Sequence, residues 1–242
     1  MEIYYKFKHF LKITSFALIK GITLRIFKYE MYQWSLEEIR HNLFRGATGV
    51  LHVGGSIGQE AKLYSEYNLS VVWIESVKDV FEKLENHLSK FPNQVALNAL
   101  VGNEEKLVDF HLASNNYMSS SIFLLNDKVS ANKNLKLVGK TCMRMETLYS
   151  LREKVDFSKL SHWVLDVQGA ELEVLKGAGE ILEVCNTLEI ECSDYNVYLG
   201  APLKEEIFDF LSSKGFVNLI NPPLRFHGNV LFTRAHRVRS SF

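Results

Sequence analysis

Three groups of residues in this sequence have the types and spacing to do chemistry. The first lies in VLHVGGSIGQE, Val50 to Glu60, where an apolar run meets Gly54, Gly55, Ser56 and Gly58. Glycines at such a turn let the backbone pass close to a ligand and let the next helix begin tight against the strand. Glu75 follows about twenty residues later, the distance at which an acid ending a second strand reaches ribose hydroxyls. Its two acceptor oxygens suit a vicinal diol. Strand, glycine turn, helix, strand and terminal acid together point to an adenosine-type ligand. The turn reads GGSIG and not the dinucleotide fingerprint GxGxxG. On the turn alone, a glycine-bearing loop in a non-binding α/β protein stays open.

The second group is HWVLDVQGAELEVLKGA, in which Asp166 ends the apolar run and Gln168 and Glu171 follow on the turn and first helical positions. Acids placed there also serve the helix start, where the dipole favours negative charge. The third group is NTLEIECS, where Glu189 and Glu191 share one face of a strand. Acids on an interior strand are costly unless paired, metal-bound or open to a cleft, and Glu191, nearer the carboxyl end, is the better site candidate. Asp166 with Glu191 has the oxygen ligands for a divalent cation, but the spacing does not require one and no metal is expected.

Shorter signals are Asn98 at the end of a third strand, Asn115, Ser120 and Ser121 in the loop SNNYMSSS, Tyr195 and Tyr198 in DYNVYLG, and His227 in PPLRFHGN. Each has a plainer reading. Serine and asparagine favour solvated turns, and buried tyrosines with one polar tip are common. His52, inside the first strand, reads as a hydrogen-bonded structural histidine more readily than as a base.

The elements that must position these groups alternate along the chain. GVLHVG, SVVWIES, QVALNALVG, HWVLDVQG and NTLEIECS read as strands; SIGQEAKLYSEY, KDVFEKLENHLSKF, METLYSLREKV, AELEVLKGAGEIL and LKEEIFDFLSSKG read as helices. KLVDFHLA and NLKLVGKTC are extended segments flanking the polar loop, and FVNLIN with NVLFTRA could close as an antiparallel hairpin. Repeated strand–helix units imply a doubly wound α/β fold, its mainly parallel sheet covered on both faces. That domain is expected over 46–235, after a helical extension 1–45 and before a basic tail 236–242.

Composition narrows the classes. The 242 residues carry 28 Lys plus Arg against 28 Asp plus Glu, so no global charge supplies the counterion release that dominates nucleic-acid binding. Cys142, Cys185 and Cys192 are an odd set without metal-ligand spacing, which suits reduced, cytoplasmic thiols. Lysines and arginines interrupt the apolar N-terminal run FKHFLKITSFALIKGITLRIF, so a membrane span is not expected. Its apolar face (Phe7, Phe10, Leu11, Leu18, Ile22) would pack on the domain or on a second subunit as a homodimer; the basic alternative is a peripheral helix on an anionic membrane face.

LHVGGSIGQEAKLYSEYN with VVWIES, NNYMSSSIF, LDVQGAELEVLKGAGEIL and EIECSDYNVYLGAPLKEEIFDFLSSKGF resembles the FkbM-type family of S-adenosylmethionine-dependent methyltransferases over about residues 48–234. The block DVQGAELEVLKGA is the most specific element of the resemblance. The family commonly reads DVGAN where this chain has His52, Gly55 and Ser56, and it includes members that read HxGA followed by GQE. The resemblance implies a class I methyltransferase (Rossmann-like) fold, a seven-stranded sheet whose last strand is antiparallel, and O-methylation, often of sugars.

It also assigns expectations to residues. Gly54, Gly55, Ser56, Gly58, Glu75, Asn98, Ser120, Asp166 and Gln168 would hold S-adenosyl-L-methionine. Asn115, Ser121, Glu171, Tyr195 and Tyr198 would meet the acceptor, and Asp166, Glu191 and His227 are the candidates for catalysis. The partner is then a small molecule or glycan. A nicotinamide-dependent oxidoreductase and a non-enzymatic module of the same fold remain the alternatives at this point.

Overall fold

The computed structural model describes residues 20–236. The basic run before Lys20, with most of its expected apolar face, and the tail 237–242 lie outside the described residues. Helix α1 (Lys20–Gly46) leads into strand β1 (Val50–Val53), and helix α2 (Ala61–Glu66) into β2 (Val71–Glu75). Helix α3 (Lys78–Leu88) precedes β3 (Gln94–Asn98), and its buried Val80, Leu84 and Leu88 repeat every four residues, as an amphipathic helix requires.

After an inserted region come β8 (His162–Leu165), α5 (Glu171–Gly177), β9 (Thr187–Ser193), α6 (Lys204–Ser213), β11 (Phe216–Asn218) and β12 (His227–Arg234). The seven-stranded sheet has the order β11-β12-β9-β8-β1-β2-β3. Strands β3, β2, β1, β8 and β9 pair in parallel, and β12 runs antiparallel to both its neighbours. The chain therefore has the doubly wound, mainly parallel sheet with a reversed last strand. Strands β1 and β8, buried along their whole length, form its centre.

Alternating side chains separate two cores. Leu51, Val53, Trp163, Leu165, Leu188 and Ile190 pack on one face; Val50, Val71, Trp73 and Val164 pack with Tyr64 and Leu84 on the other. The second face also buries His52, whose ring stacks on Trp73 at 4.4 Å while its Nδ1 lies 3.0 Å from Tyr64 Oη. Burial holds this imidazole neutral, its pKa lowered to about 3.

The inserted region is more strand-rich than its sequence suggests. QVALNALVG divides into β3 and a short β4 (Leu100–Val101), which joins a separate three-stranded sheet with β5 (Lys106–Ala113) and β7 (Leu137–Glu146). Between β5 and β7 lie β6 (Leu124–Leu125) and α4 (Asp127–Lys133), and β6 pairs with β10 (Tyr198–Leu199). METLYSLREKV, expected as helix, instead ends β7 and continues as a 3-10 turn over Ser150–Glu153. AELEVLKGAGEIL also breaks, because Gly179 at φ 54 has left-handed backbone that a right-handed helix cannot carry. For the same reason α2 begins at Ala61 and not at Ser56: Ser56 (φ 45) and Gly58 (φ 78) are left-handed. Residues 56–60 are thus a turn facing the ends of the strands.

Candidate active site

A cleft of about 620 Å³, counting its open mouth, lies beyond the carboxyl ends of β1, β2 and β8. That is the place where ligands of doubly wound sheets bind. Gly54 brings the first turn there at φ 85, and a Cβ on it would lie 1.8 Å from the Asp166 carbonyl oxygen. Only glycine lets the two turns approach so closely. Gly55 and Gly58 serve packing behind the turn, their missing Cβ positions facing Trp73 and Leu84 at 2.9 and 2.8 Å.

Glu75 closes the floor. Its Oε2 accepts from Ser56 N at 2.9 Å and its Oε1 from Val77 N at 2.8 Å. Burial raises its pKa, and the backbone donors pull it back. Ser76 adds backbone and side-chain hydrogen bonds to the same carboxylate, which lines the cleft. Asn98 stands outside the lining and fastens this corner, donating from Nδ2 to the carbonyls of Glu75 (2.8 Å) and Ser76 (3.0 Å). The opposite wall is apolar, from Val77, Ala99, Val101 and Phe110.

The polar loop forms the rim. Ser120 lines the cleft while its Oγ accepts from Ala113 N at 3.0 Å. Asn115 is occupied within its own loop, with its Nδ2 donating to Ser119 Oγ at 2.9 Å. Ser121 donates to the Gln168 carbonyl at 2.7 Å from behind the rim. Asn116, Tyr117 and Met118 line the cleft instead. The first two have left-handed backbone (φ 56 and 67), a turn that SNNYMSSS does not announce by a glycine.

Asp166 faces the cleft from the end of β8, and burial raises its pKa with help from the charge of Glu189. The Gln168 Nε2 donates to Asp166 Oδ1 and, at 3.1 Å, to Glu191 Oε2. Glu171 closes the turn between them, its Oε1 accepting from Val167 N at 2.9 Å and Gly169 N at 3.2 Å. It is 2% exposed, and burial pushes its pKa up to about 7. Asp166, Glu171 and Glu191 each have a carboxylate oxygen within 4.8 Å of the others.

A second, smaller cleft adjoins the first and is lined by Glu171, Glu191, Tyr195, Tyr198 and His227. His227 Nε2 lies 3.6 Å from Glu191 Oε1, and the Tyr195 and His227 rings are 6.3 Å apart. The expected residues therefore fall into three sets. Gly54, Ser56, Glu75, Ser120, Asp166 and Gln168 share the first cleft; Glu171, Glu191, Tyr195, Tyr198 and His227 share the second; Gly55, Gly58, Asn98, Asn115 and Ser121 support the walls.

Glu189 is a structural acid, gripped by Arg40 of α1 through Nε (2.7 Å) and Nη2 (2.5 Å) and by Asn229 Nδ2 (2.6 Å). Sequence reasoning missed Arg40, which stands 149 residues from its partner.

No curated protein matches this chain. Among solved structures, the N-terminal domain of EvdMO1 with SAH bound is 12% identical, covering 82% of this chain and 79% of that one at a TM-score of 0.44. The longer EvdMO1 chain is also 12% identical at 0.43; 84% of this chain is covered, and this chain spans 41% of that one. Magnesium protoporphyrin IX methyltransferase (ChlM) from Synechocystis PCC 6803 with bound SAM is 8% identical, covering 95% of this chain and 91% of that one at 0.43. The family description Methyltransferase FkbM domain matches residues 52–217. That range carries the glycine turn, Glu75, Asp166 and Glu191, and the chain belongs to the FkbM family of S-adenosylmethionine-dependent methyltransferases.

Proposed function

We propose that this methyltransferase acts on oxygen, placing the methyl on a hydroxyl of a sugar unit in a glycan, glycolipid or nucleotide-sugar precursor. The observation that carries the reading is that Glu75 and Asp166 line one cleft while the Gln168 amide bridges Asp166 to Glu191 of the adjoining one.

Glu75 would take the two ribose hydroxyls, with the turn Gly54–Ser56 beside it and the apolar wall of Val77, Ala99 and Val101 against the base. Bound S-adenosylmethionine supplies an electrophilic methyl on sulfur, which departs with the electron pair of the broken C–S bond. The chain's own task is to hold the acceptor oxygen in line with that carbon and to receive the hydroxyl proton. Asp166 receives it, since the burial that raises its pKa brings it nearer the proton affinity a general base needs. Glu191 and His227 line the second cleft, where a hydroxylated ring would lie against Tyr195.

Work on a cytoplasmic precursor, with peripheral contact at the inner membrane face through the N-terminal basic segment, belongs to the same proposal. It is supported by three free cysteines. Among the described residues no helix is long and apolar enough to cross a membrane.

The test is calorimetric and chemical. S-adenosylhomocysteine should bind the purified chain, and incubation with S-adenosylmethionine and a panel of glycosides and nucleotide sugars should add one methyl to a hydroxyl of the true acceptor. Cofactor binding with methylation confined to amines in a parallel panel would move the reaction from oxygen to nitrogen.

A further inference from the structure

One side chain bridges an acid of each cleft. The Gln168 carboxamide spends both its N–H donors on carboxylates, Asp166 on the cofactor side and Glu191 on the other. Its Oε1 accepts from Tyr198 Oη at 2.6 Å. The backbone below is held independently, by the Ser121 hydroxyl on the Gln168 carbonyl and by left-handed geometry at φ 57. A non-glycine residue persists in that region only when its surroundings impose it. The bridge is therefore a side chain on a fixed base, and turning its own torsions releases its bonds to Asp166, Glu191 and Tyr198.

Few ligand chemistries could take over those bonds. The vacated pattern asks for two donors aimed at two carboxylates and an acceptor aimed at a phenol. A phosphate or carboxylate would set like charge against Asp166 and Glu191. An ammonium offers donors only and would leave the Tyr198 hydroxyl without an acceptor. Two adjacent hydroxyls satisfy all three, because each donates one proton and keeps lone pairs.

We propose that Gln168 is a gate that keeps the acceptor's place. In the acceptor complex its side chain swings aside, and two neighbouring hydroxyls of an uncharged sugar ring take its bonds to Asp166, Glu191 and Tyr198. The ring fills the second cleft beside Tyr195, and the hydroxyl on Asp166 is the one presented to the first cleft. The inference rests on the methyl-transfer reading of the first cleft and adds the class and pose of the acceptor. Exchanging three hydrogen bonds for three keeps the opening inexpensive, since the net value of each is small once a replacement is made.

The experiment titrates the full chain, loaded with S-adenosylhomocysteine, with neutral methyl hexosides and their monodeoxy analogues. Wild type is compared with Gln168→Gly, which keeps the left-handed backbone without a side chain, and with Glu191→Gln. At least one hexoside should bind, its deoxy analogue lacking either gate-replacing hydroxyl should bind about tenfold or more weakly, and Glu191→Gln should lose a similar factor. Gln168→Gly should bind the same hexoside at least as tightly as wild type.

Weaker binding by Gln168→Gly would make Gln168 a ligand of the acceptor and overturn the gate. If that variant does not fold, Gln168→Asn replaces it, tolerating the same backbone while being too short to span both carboxylates. S-adenosylhomocysteine binding without any hexoside binding overturns the acceptor class and leaves the cofactor reading standing. Failure of S-adenosylhomocysteine to bind wild type removes the methyl-transfer reading itself. Hexoside binding abolished by chelator and restored by magnesium would put a cation between the carboxylates and overturn the exchange.

Discussion

At the scale of single residues, environment divides the work among the acids. Glu75 is bonded through both oxygens to backbone donors and lines the cleft. Glu75→Gln keeps one acceptor oxygen and should weaken S-adenosylhomocysteine binding by about ten- to a hundredfold, the value of a charged hydrogen bond, as read by calorimetry. Unchanged affinity would remove Glu75 from the ribose. Asp166→Asn keeps the size of the side chain and should lower the methyl-transfer rate by about 10²- to 10⁴-fold, with cofactor affinity nearly unchanged. The wild-type rate should rise with pH through the raised Asp166 pKa, because the base acts deprotonated, and Asp166→Asn should flatten that limb. Equal losses in rate and in cofactor affinity would reduce Asp166 to a cofactor ligand. The types of these residues were legible in the sequence because acids at strand ends have few reasons to exist. Their partners were not, since Gln168 reads as a turn residue until its amide is placed between two carboxylates.

At the scale of elements, α1 is tied into the sheet by one buried charge pair and one phenol. Arg40 grips Glu189 on β9, and Tyr32 Oη donates to the Asn229 carbonyl on β12 at 2.7 Å. Arg40 is 23% exposed and Glu189 5%, so water screens the pair little. Arg40→Met strands a buried carboxylate and should cost about 3–5 kcal/mol in urea unfolding, while Arg40→Met with Glu189→Met should recover most of that loss. A single-variant cost near zero would show that the Arg40–Glu189 pair does not hold α1 on the sheet. Periodicity made α3 readable, since Val80, Leu84 and Leu88 repeat on one face. It misjudged METLYSLREKV, whose apolar spacing suits a helix but whose first residues, Met145 and Glu146, pair with β5 and β4. Pairing across a ladder is a long-range contact, and local spacing does not encode it.

At the scale of the whole molecule, buried titrating groups set opposing slopes of stability against pH. His52 and His162 are held neutral by burial, with pKa values lowered to about 3 and about 4. The unfolded chain binds protons at these positions from about pH 6.5 downward, so their contribution is full above that value and is lost as pH falls towards 3. Glu171 acts the other way. Its raised pKa of about 7 means that its contribution is present below the unfolded value and is lost as pH rises through 7. Two histidines outweigh one carboxyl, so the net effect of these three groups is a melting temperature that falls as pH drops below about 6.5 and falls faster below about pH 4.5, where Glu171 no longer offsets them. His52→Phe should make the acid limb shallower in a melting series; an unchanged limb would mean that other groups govern it.

By itself the sequence determined the alternation of strands and helices, the reversed last strand and the acids at the strand ends. Those features follow from hydrophobic period and local turn chemistry, which act within a few residues. Only the tertiary structure decided that Asp166 and Glu191 border different clefts, that Gln168 stands between them, and that Glu189 belongs to Arg40. Each depends on side chains from distant segments competing for the same hydrogen bonds, and that competition exists only once the sheet has brought the segments together.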